Sequence, residues 1–101
     1  MKAILINPTA RTVTEVDVLP KGLASHYALI GNNCDMVEVA MGIGGDVLFV
    51  DEEALLKPAV PCFTISGGHQ PFMGNGVVCA ASGKRDCKST VEQIRRMVRF
   101  P

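Results

Sequence analysis

Long hydrophobic runs, an excess of one charge and aromatic residues are all scarce in this sequence of 101 residues. No apolar stretch approaches the roughly 20 residues that a membrane span requires, so we expect no membrane contact. The apolar run Ala3–Ile6 is too short for a signal peptide and is followed by Pro8, which favours the cytoplasm as the compartment. Basic and acidic residues balance at 10 each and only 5% of residues are aromatic, so we do not expect the protein to bind nucleic acid.

Metal motifs and nucleotide-binding fingerprints are also missing. The 4 cysteines include no Cys-x-x-Cys pair, and His26 and His69 are far apart in sequence. We therefore predict no disulfide framework, no metal site and no cofactor. The segment Gly76–Lys84 lacks the spacing of a phosphate-binding P-loop, and Gly42–Gly45 lies in a predicted hairpin rather than between a strand and a helix.

No motif links a serine or cysteine nucleophile to a histidine. His26 lies among apolar neighbours on a predicted helix, which is typical of a packed histidine. Cys62 and Cys79 fall in predicted strands, where cysteine is ordinarily a small core residue. We therefore predict that the protein is not an enzyme. The alternative is a small enzyme that uses His69, the better candidate for a catalytic base.

The chain is predicted to form a single α+β domain over residues 1–101. A mainly antiparallel sheet of about six short strands in three hairpins would pack against two helices and one short helical turn. The predicted elements are, in chain order, a hairpin (3–6 and 13–18), a helix (20–30) ended by Gly31, a hairpin (36–41 and 47–50), a helical turn (51–58) capped by Asp51 and ended by Pro58, a strand pair (60–65 and 77–81) and a basic C-terminal helix within 84–101.

The glycine-rich loop 67–76 is the first candidate binding segment. Its glycines allow consecutive backbone N–H groups to turn inward and bind an anion, and its polar side chains can contact a ligand. The alternative is a tight loop that needs positive φ angles. The residues predicted to bind a ligand are Gly67, Gly68, His69, Gln70, Gly74, Asn75 and Gly76.

The second candidate is the C-terminal segment 84–101. It holds six basic and two acidic residues, a net charge of +4 that the rest of the chain balances with −4. Ser89–Glu92 matches a capping box, and the helix that it begins would carry basic residues on one face. Arg95 and Arg99 of that face are predicted ligand contacts, because planar guanidinium groups suit phosphate.

Two other interpretations of this basic face are open. In the first, it is simply solvated, with Glu92 paired to Arg96 one helical turn later. In the second, the protein forms a homo-oligomer in which the acidic turn 51–53 of one copy contacts the basic helix of another.

A series of four motifs resembles an uncharacterised phage and plasmid family, domain of unknown function 3846. The likeness covers residues 1–81, includes the opening 1–8 and has no counterpart for the basic helix after Ser82. The motifs are Val13-Thr14-Glu15-Val16, Tyr27-Ala28-Leu29-Ile30-Gly31, Gly45-Asp46-Val47-Leu48-Phe49-Val50-Asp51-Glu52 and Gly67-x-x-Gln70-Pro71-x-x-Gly74-x-Gly76. The resemblance implies a mobile-element origin and transfers no catalytic residue. By analogy, small virus-encoded proteins bind host components, including defence proteins or their nucleotide signals.

These observations favour a phage-type accessory protein that acts by non-enzymatic binding. The predicted partner is a small phosphate-bearing ligand, such as a nucleotide signal, which the protein would sequester against host defence. The alternative partner is a host defence or metabolic enzyme, which the C-terminal helix or an open sheet edge would bind and inhibit.

Overall fold

The apolar run Ala3–Ile6, in which Ala3, Ile4 and Ile6 are all buried, lies in the first strand of an N-terminal hairpin. The computed structural model describes residues 1–19, 24–31, 37–57 and 60–101. Strands β1 (Lys2–Asn7) and β2 (Thr12–Asp17) pair antiparallel from Lys2–Asp17 to Asn7–Thr12. The Asn7 side chain accepts a hydrogen bond from the Ala10 N–H at 3.1 Å, which closes the turn. The first predicted hairpin is therefore confirmed.

Helix α1 (Ala24–Ile30) follows, with His26 and Ile30 buried. It ends where Gly31 adopts a φ of 64° and donates its N–H to the Tyr27 carbonyl at 2.9 Å. This is the left-handed cap that the sequence predicts. The first part of the predicted helix, 20–23, lies outside the described residues.

The glycine-containing turn Gly44–Gly45 joins β3 (Val37–Ile43) to β4 (Asp46–Asp51). This confirms the second hairpin, although Met36 lies outside the described residues. A 3₁₀ turn (Ala54–Leu56) follows β4. The predicted helical turn is confirmed, but Asp51 is not its cap. Glu53 is the N-cap residue and has no side-chain cap hydrogen bond, while the Asp51 carboxylate accepts the Glu53 N–H at 2.9 Å and pairs with Lys57 at 2.7 Å. Pro58, its predicted end, lies outside the described residues.

The prediction that 60–65 pairs with 77–81 is wrong. Strand β5 (Cys62–Ile65) pairs with β6 (Phe72–Met73), whereas β7 (Gly76–Ala80) pairs with both β1 and β4. All five residues of β7 are buried, and a strand that is buried on both faces belongs in the middle of a large sheet. Adjacency in sequence therefore does not decide its pairing.

The predicted C-terminal helix is also shorter than expected. Helix α2 spans Val91–Met97, and β8 (Val98–Arg99) then pairs with β5. Thr90 and Gln93 form the capping box, not the predicted Ser89 and Glu92.

Ser89 is held instead by a buried carboxylate. Its N–H and its hydroxyl both donate to Asp46 at 2.7 Å, and the Lys88 N–H donates to the same carboxylate at 3.0 Å. Burial alone would raise the pKa of Asp46. These hydrogen bonds and the Arg85 charge outweigh it and lower that pKa. The segment before α2 is thus attached to the start of β4.

The described strands form two antiparallel sheets, which confirms the predicted α+β class. The larger sheet has the order β2-β1-β7-β4-β3 and the smaller has the order β6-β5-β8. One face of the larger sheet shares a core with the smaller sheet and α2, through residues such as Ile4, Leu48, Phe63 and Ile94. The other face packs Ala3, Val77 and Cys79 against Ile30 of α1. No helix among the described ranges has the length and apolar character to cross a membrane.

Candidate functional site

The glycine-rich loop uses several of its backbone groups within the protein. The Gly68 N–H donates to the Ile65 carbonyl at 2.9 Å and the Gly74 N–H donates to the Pro61 carbonyl at 3.0 Å. Gly67 and Gly74 have φ angles of 89° and 82°, as a tight loop requires. The tight-loop interpretation accounts for these three glycines, and their role in anion binding stays a prediction.

The end of the loop is also part of the fold. The Asn75 side-chain amide donates to the Leu29 carbonyl at 3.0 Å, which ties the loop to α1. Gly76 is buried in β7, where a Cβ atom would lie 2.8 Å from Phe63 Cζ. His69 and Gln70 are exposed, and they line a depression of about 230 Å³ together with Ala40, Met41, Gly67, Gly68 and Phe72.

The predicted arginine contacts lie elsewhere. Arg95 donates to the Val13 carbonyl at 3.2 Å and lines a separate groove of about 380 Å³ beside Arg11 and Phe100. Arg99 donates to the carbonyls of Arg96 and Val98 and lines neither depression. The structure therefore does not bring the loop and the arginines together in one cavity.

A third cavity, of about 300 Å³, lies between the β1–β2 hairpin, α1 and the turn that follows β7. We call it the His26 cavity. Its lining residues are Met1, Lys2, Val18, Leu19, His26, Phe49, Cys79, Ala80, Ala81, Ser82, Gly83, Lys84 and Arg85. We call the buried residues of this set, together with half-buried Met1 and Phe49, the inner wall, and the exposed residues, together with half-buried Arg85, the mouth.

The inner wall contains a histidine–cysteine pair. His26 Nε2 lies 3.2 Å from Cys79 Sγ, and the His26 ring packs edge-on against Phe49 with centroids 4.9 Å apart. Burial lowers the pKa of His26. Burial, with smaller contributions from Cys87 and Asp46, raises the pKa of Cys79 to about 12. At neutral pH both groups are therefore uncharged.

This pair holds little thiolate at rest. Burial raises the pKa of the Cys79 thiol to about 12, so the thiol keeps its proton at neutral pH. Across 1–19, 24–31, 37–57 and 60–101, no three His, Cys, Asp or Glu residues are grouped closely enough to hold a metal ion. The pair forms a buried contact within a largely apolar wall.

The mouth of the His26 cavity is cationic. Lys2, Lys84 and Arg85 line it, and no carboxylate from the described part of the chain does. Arg85 is anchored, because it donates to the Gly45 carbonyl at 3.0 Å and lies 3.7 Å from Asp46. Lys2 and Lys84 form no salt bridge with any residue that the structure describes.

A short turn brings Lys84 to this mouth. The Gly83 N–H donates to the Ala80 carbonyl at 3.0 Å, and the Lys84 N–H donates to the Ser82 hydroxyl at 3.2 Å. Gly83 has a φ of 70°, a conformation that suits glycine. The turn therefore follows β7 directly, and Lys84 lines the same cavity as Cys79.

The sequence predicts that His26 and Cys79 are packing residues, and both are buried in the structure. The pattern could not show that they meet, because 53 residues separate them. The available signal was a histidine among apolar residues together with a cysteine in a strand followed by Ser-Gly-Lys-Arg. That signal indicates burial but no partner.

Comparison with known proteins yields one relationship. No curated protein and no solved structure matches the chain. A family model described as Domain of unknown function (DUF3846) matches residues 1–100, which extends the resemblance through the C-terminal segment. The chain therefore belongs to this family of unknown function.

Proposed function

We propose that the protein is a non-enzymatic binder of a small anionic ligand, held in the His26 cavity. The observation that carries this proposal is the contrast between the two parts of the cavity. The buried wall contains uncharged groups, and the mouth carries two lysines without a salt-bridge partner among the described residues. Ligand cavities typically combine an apolar lining with a few charged or polar groups that fix orientation.

The charge of the mouth favours an anion. An ammonium group acts as a point charge toward phosphate or carboxylate, and Lys2 and Lys84 supply two such groups at one opening. Arg85 adds positive charge, although hydrogen bonds already hold its guanidinium group. A phosphate-bearing ligand, the class predicted from the sequence, suits this mouth better than it suits the glycine-rich loop.

The chemistry of the wall supports binding rather than catalysis. The His26–Cys79 contact is buried and lies among the apolar side chains of Val18, Phe49 and Ala80, so the wall offers a ligand a mainly apolar surface. The volume of about 300 Å³ is at the lower end for small-molecule sites, which run from about 300 to 1,000 Å³. A single nucleotide is the size of ligand that such a site admits.

A more specific form of the proposal names a biological role for this binding. Sequestration of a nucleotide signal in the host cytoplasm, by a phage-encoded accessory protein, would require this type of site. The site supports the ligand class alone, and the role in defence rests on the resemblance described above.

Charge reversal at the mouth tests the proposal. Lys2→Glu with Lys84→Glu should weaken the binding of inorganic phosphate and of 5′-UMP at least tenfold, measured by calorimetry and by NMR titration. The matched control is Arg95→Glu with Arg99→Glu. Each pair lowers the formal net charge, which is zero in the parent chain, by four. A general electrostatic effect would therefore weaken binding equally in both variants.

Three outcomes decide the matter. Loss in the lysine variant alone supports the proposal, provided that both variants keep the melting temperature of the parent. Loss in the arginine variant alone moves the site to the groove beside Arg95. If neither probe binds the parent protein, small-anion binding is rejected.

A second candidate function has its own observation. Arg95, Arg96 and Arg99 are exposed, and the side chains of Arg95 and Arg99 donate to backbone carbonyls rather than to carboxylates. Their charge is thus available to an acidic protein surface. Under this alternative, the arginine variant loses a specific host enzyme in a pull-down while it keeps phosphate binding.

A further inference from the structure

Strand β3 lies at an open edge of the large sheet. Its inner side pairs with β4, and its outer side has no hydrogen-bond partner among the residues that the structure describes. Natural edge strands are usually short, covered, or interrupted by lysine or proline, because open backbone groups pair with other chains. β3 is 7 residues long, contains neither lysine nor proline, and leaves Val39 54% exposed. This edge is therefore suited to pairing with another strand.

The other sheet edges are protected or short. On β2, at the opposite edge of the large sheet, the Arg95 side chain donates to the Val13 carbonyl at 3.2 Å. Strands β6 and β8, at the edges of the smaller sheet, have two residues each. So short a strand offers few backbone groups to a partner. Strand addition is therefore most favourable at β3.

The start of β3 lies beside an acidic turn. Val37 pairs with Asp51, the last residue of β4, and the segment 52–56 follows. This segment begins with two glutamates and leaves Leu55 and Leu56 79% and 83% exposed. We call it the acidic leucine turn. Two adjacent leucines with this exposure provide apolar surface that a partner can cover.

The end of β3 lies beside a basic groove of about 510 Å³, which extends from Ile43 to α2. The groove has apolar lining residues, among them Ile94 and Met97, and its two cationic ones are the exposed Lys88 and Arg96. No carboxylate from the described part of the chain lines it. Within that part, neither cation forms a salt bridge. The groove thus complements the acidic leucine turn in both charge and apolar character.

Antiparallel pairing of two β3 strands brings these unlike ends together. The start of β3 in one copy then lies beside the end of β3 in the other, about 20 Å along a strand that rises about 3.3 Å per residue. Both surfaces lie on the face of the large sheet that carries the smaller sheet and α2. Leu55 lines a depression with Phe72 of the smaller sheet, and Ile94 of α2 lines the basic groove. A twofold axis perpendicular to the sheet keeps them on that face.

The geometry points to a twofold homodimer, in which β3 pairs antiparallel with β3 of the second copy and each acidic leucine turn docks in the basic groove of the other. The bulge at Ala40 lies at the centre of β3, so pairing joins 37–39 of one copy to 41–43 of the other. This dimer makes the homo-oligomer interpretation of the sequence specific. Neither surface lines the His26 cavity, so the dimer is independent of the proposed function.

Sedimentation and hydrogen exchange of the parent protein give the first test. We expect a species of about twice the 10.8 kDa chain mass at high protein concentration, which dissociates on dilution. Amide protons of β3 should exchange more slowly in this species than in the diluted protein, while those of β2 should not change. A monomer at every concentration, growth beyond a dimer, or equal exchange of β3 amides overturns the inference without any variant.

A lysine at each edge of the large sheet locates the pairing. Val39→Lys places two like charges near the centre of the paired strands and should weaken dimerisation about tenfold. Thr14→Lys adds the same charge at an exposed position of β2 and should leave dimerisation unchanged. Melting temperatures check that both variants keep the fold. A dimer that tolerates Val39→Lys, or that both lysines disrupt equally, overturns the inference.

A charge exchange tests the docking of the turn in the groove. Glu52→Lys and Arg96→Glu should each weaken dimerisation about fivefold, and the double variant should recover most of the loss because the contact again joins opposite charges. Arg99→Glu changes the charge of the same segment outside the groove and should have no effect. Single variants without effect, or a double variant without recovery, overturn the docking of the acidic leucine turn.

Discussion

The burial of His26 links the protonation of one side chain to the stability of the fold. Because burial lowers its pKa, the folded protein binds a proton at this site less readily than the unfolded chain does. The contribution of such a group to the free energy of unfolding is constant at pH values well above its unfolded-state pKa of about 6.5. That contribution falls as the pH drops below this pKa. The lining of the cavity around His26 includes Lys2, Lys84, Arg85 and the Cys79 thiol, whose pKa burial raises.

We therefore expect acid sensitivity that depends on His26. The free energy of unfolding, measured in urea between pH 5 and pH 8, should decrease below about pH 6.5 in the parent protein. His26→Gln should flatten this decrease, while His69→Gln, at an exposed position, should leave it unchanged. Identical pH profiles for the parent and His26→Gln would show that His26 is not the responsible group.

Gly76 illustrates close packing at the scale of one residue. It faces the core shared by the two sheets, where an added Cβ atom would lie 2.8 Å from Phe63 Cζ and 3.0 Å from Leu48 Cδ1. Gly76→Ala should therefore lower the free energy of unfolding by about 1–3 kcal/mol, as overpacked cores do. Thermal and urea unfolding measure the loss.

The control for this change is a second strand glycine. At Gly42 the nearest atom to an added Cβ is the Asp46 carbonyl oxygen, at 4.0 Å. Gly42→Ala should change stability by less than about 1 kcal/mol, and in the stabilising direction, because alanine restricts the unfolded chain. Equal losses at both positions would mean that the cost comes from replacing a strand glycine and not from the contact with Phe63.

Among the elements, α2 permits a direct test of which capping box operates. The sequence pattern indicates Ser89 with Glu92, whereas the structure has Thr90 with Gln93. Thr90→Ala should cost about 1 kcal/mol, the usual value for loss of a helix N-cap. Glu92→Ala should cost only about 0.3 kcal/mol, through its charge near the helix start. Urea unfolding of the two variants measures both values, and the reverse order would restore the box predicted from the sequence.

Local signals predicted some elements well. The glycines at 42–45 predict the β3–β4 hairpin and Gly31 predicts the end of α1. Each of these features depends on residues close in sequence, whose turn chemistry is visible in the chain.

The pairing of strands that are distant in sequence could not be predicted from these local signals. Strands β6 and β8 have two residues each, too few for any periodic pattern, and β7 is apolar at every buried position. An apolar run of five residues indicates a buried strand but does not identify its neighbours. The position of β7 between β1 and β4 is therefore determined by tertiary packing.

The candidate site, too, could be predicted where it depends on local sequence and not where it depends on long-range contacts. Charge in the C-terminal segment was visible in the sequence and contributes Lys84 and Arg85 to the cavity mouth. The contact between His26 and Cys79 depends on α1 packing over β7, which no local pattern reports. The composition of the glycine-rich loop predicted a binding segment, although all four of its glycines have structural explanations.

At the scale of the whole molecule, β7 joins two cores. Val78 belongs to the core that includes Phe63 and Ile94, whereas its neighbours Val77 and Cys79 belong to the core that includes Ile30. Alternate residues of a strand point to opposite faces, so loss of either core exposes one side of the same central strand. We therefore expect the layers to unfold together.

The single tyrosine, Tyr27, makes this expectation measurable. It lies on α1, on the opposite side of the large sheet from Ile94, which is fully buried. Ile94→Ala should cost about 2–5 kcal/mol, and the Tyr27 fluorescence transition should shift in urea by the same amount as the far-ultraviolet circular dichroism transition. Ile30→Ala, beside Tyr27, is the reciprocal variant and should also move both transitions together. If Ile94→Ala moved the dichroism transition while Tyr27 still unfolded at the parent concentration of urea, α1 would be an independent unit. The His26 cavity, whose wall combines α1 with β7, would then open without global unfolding.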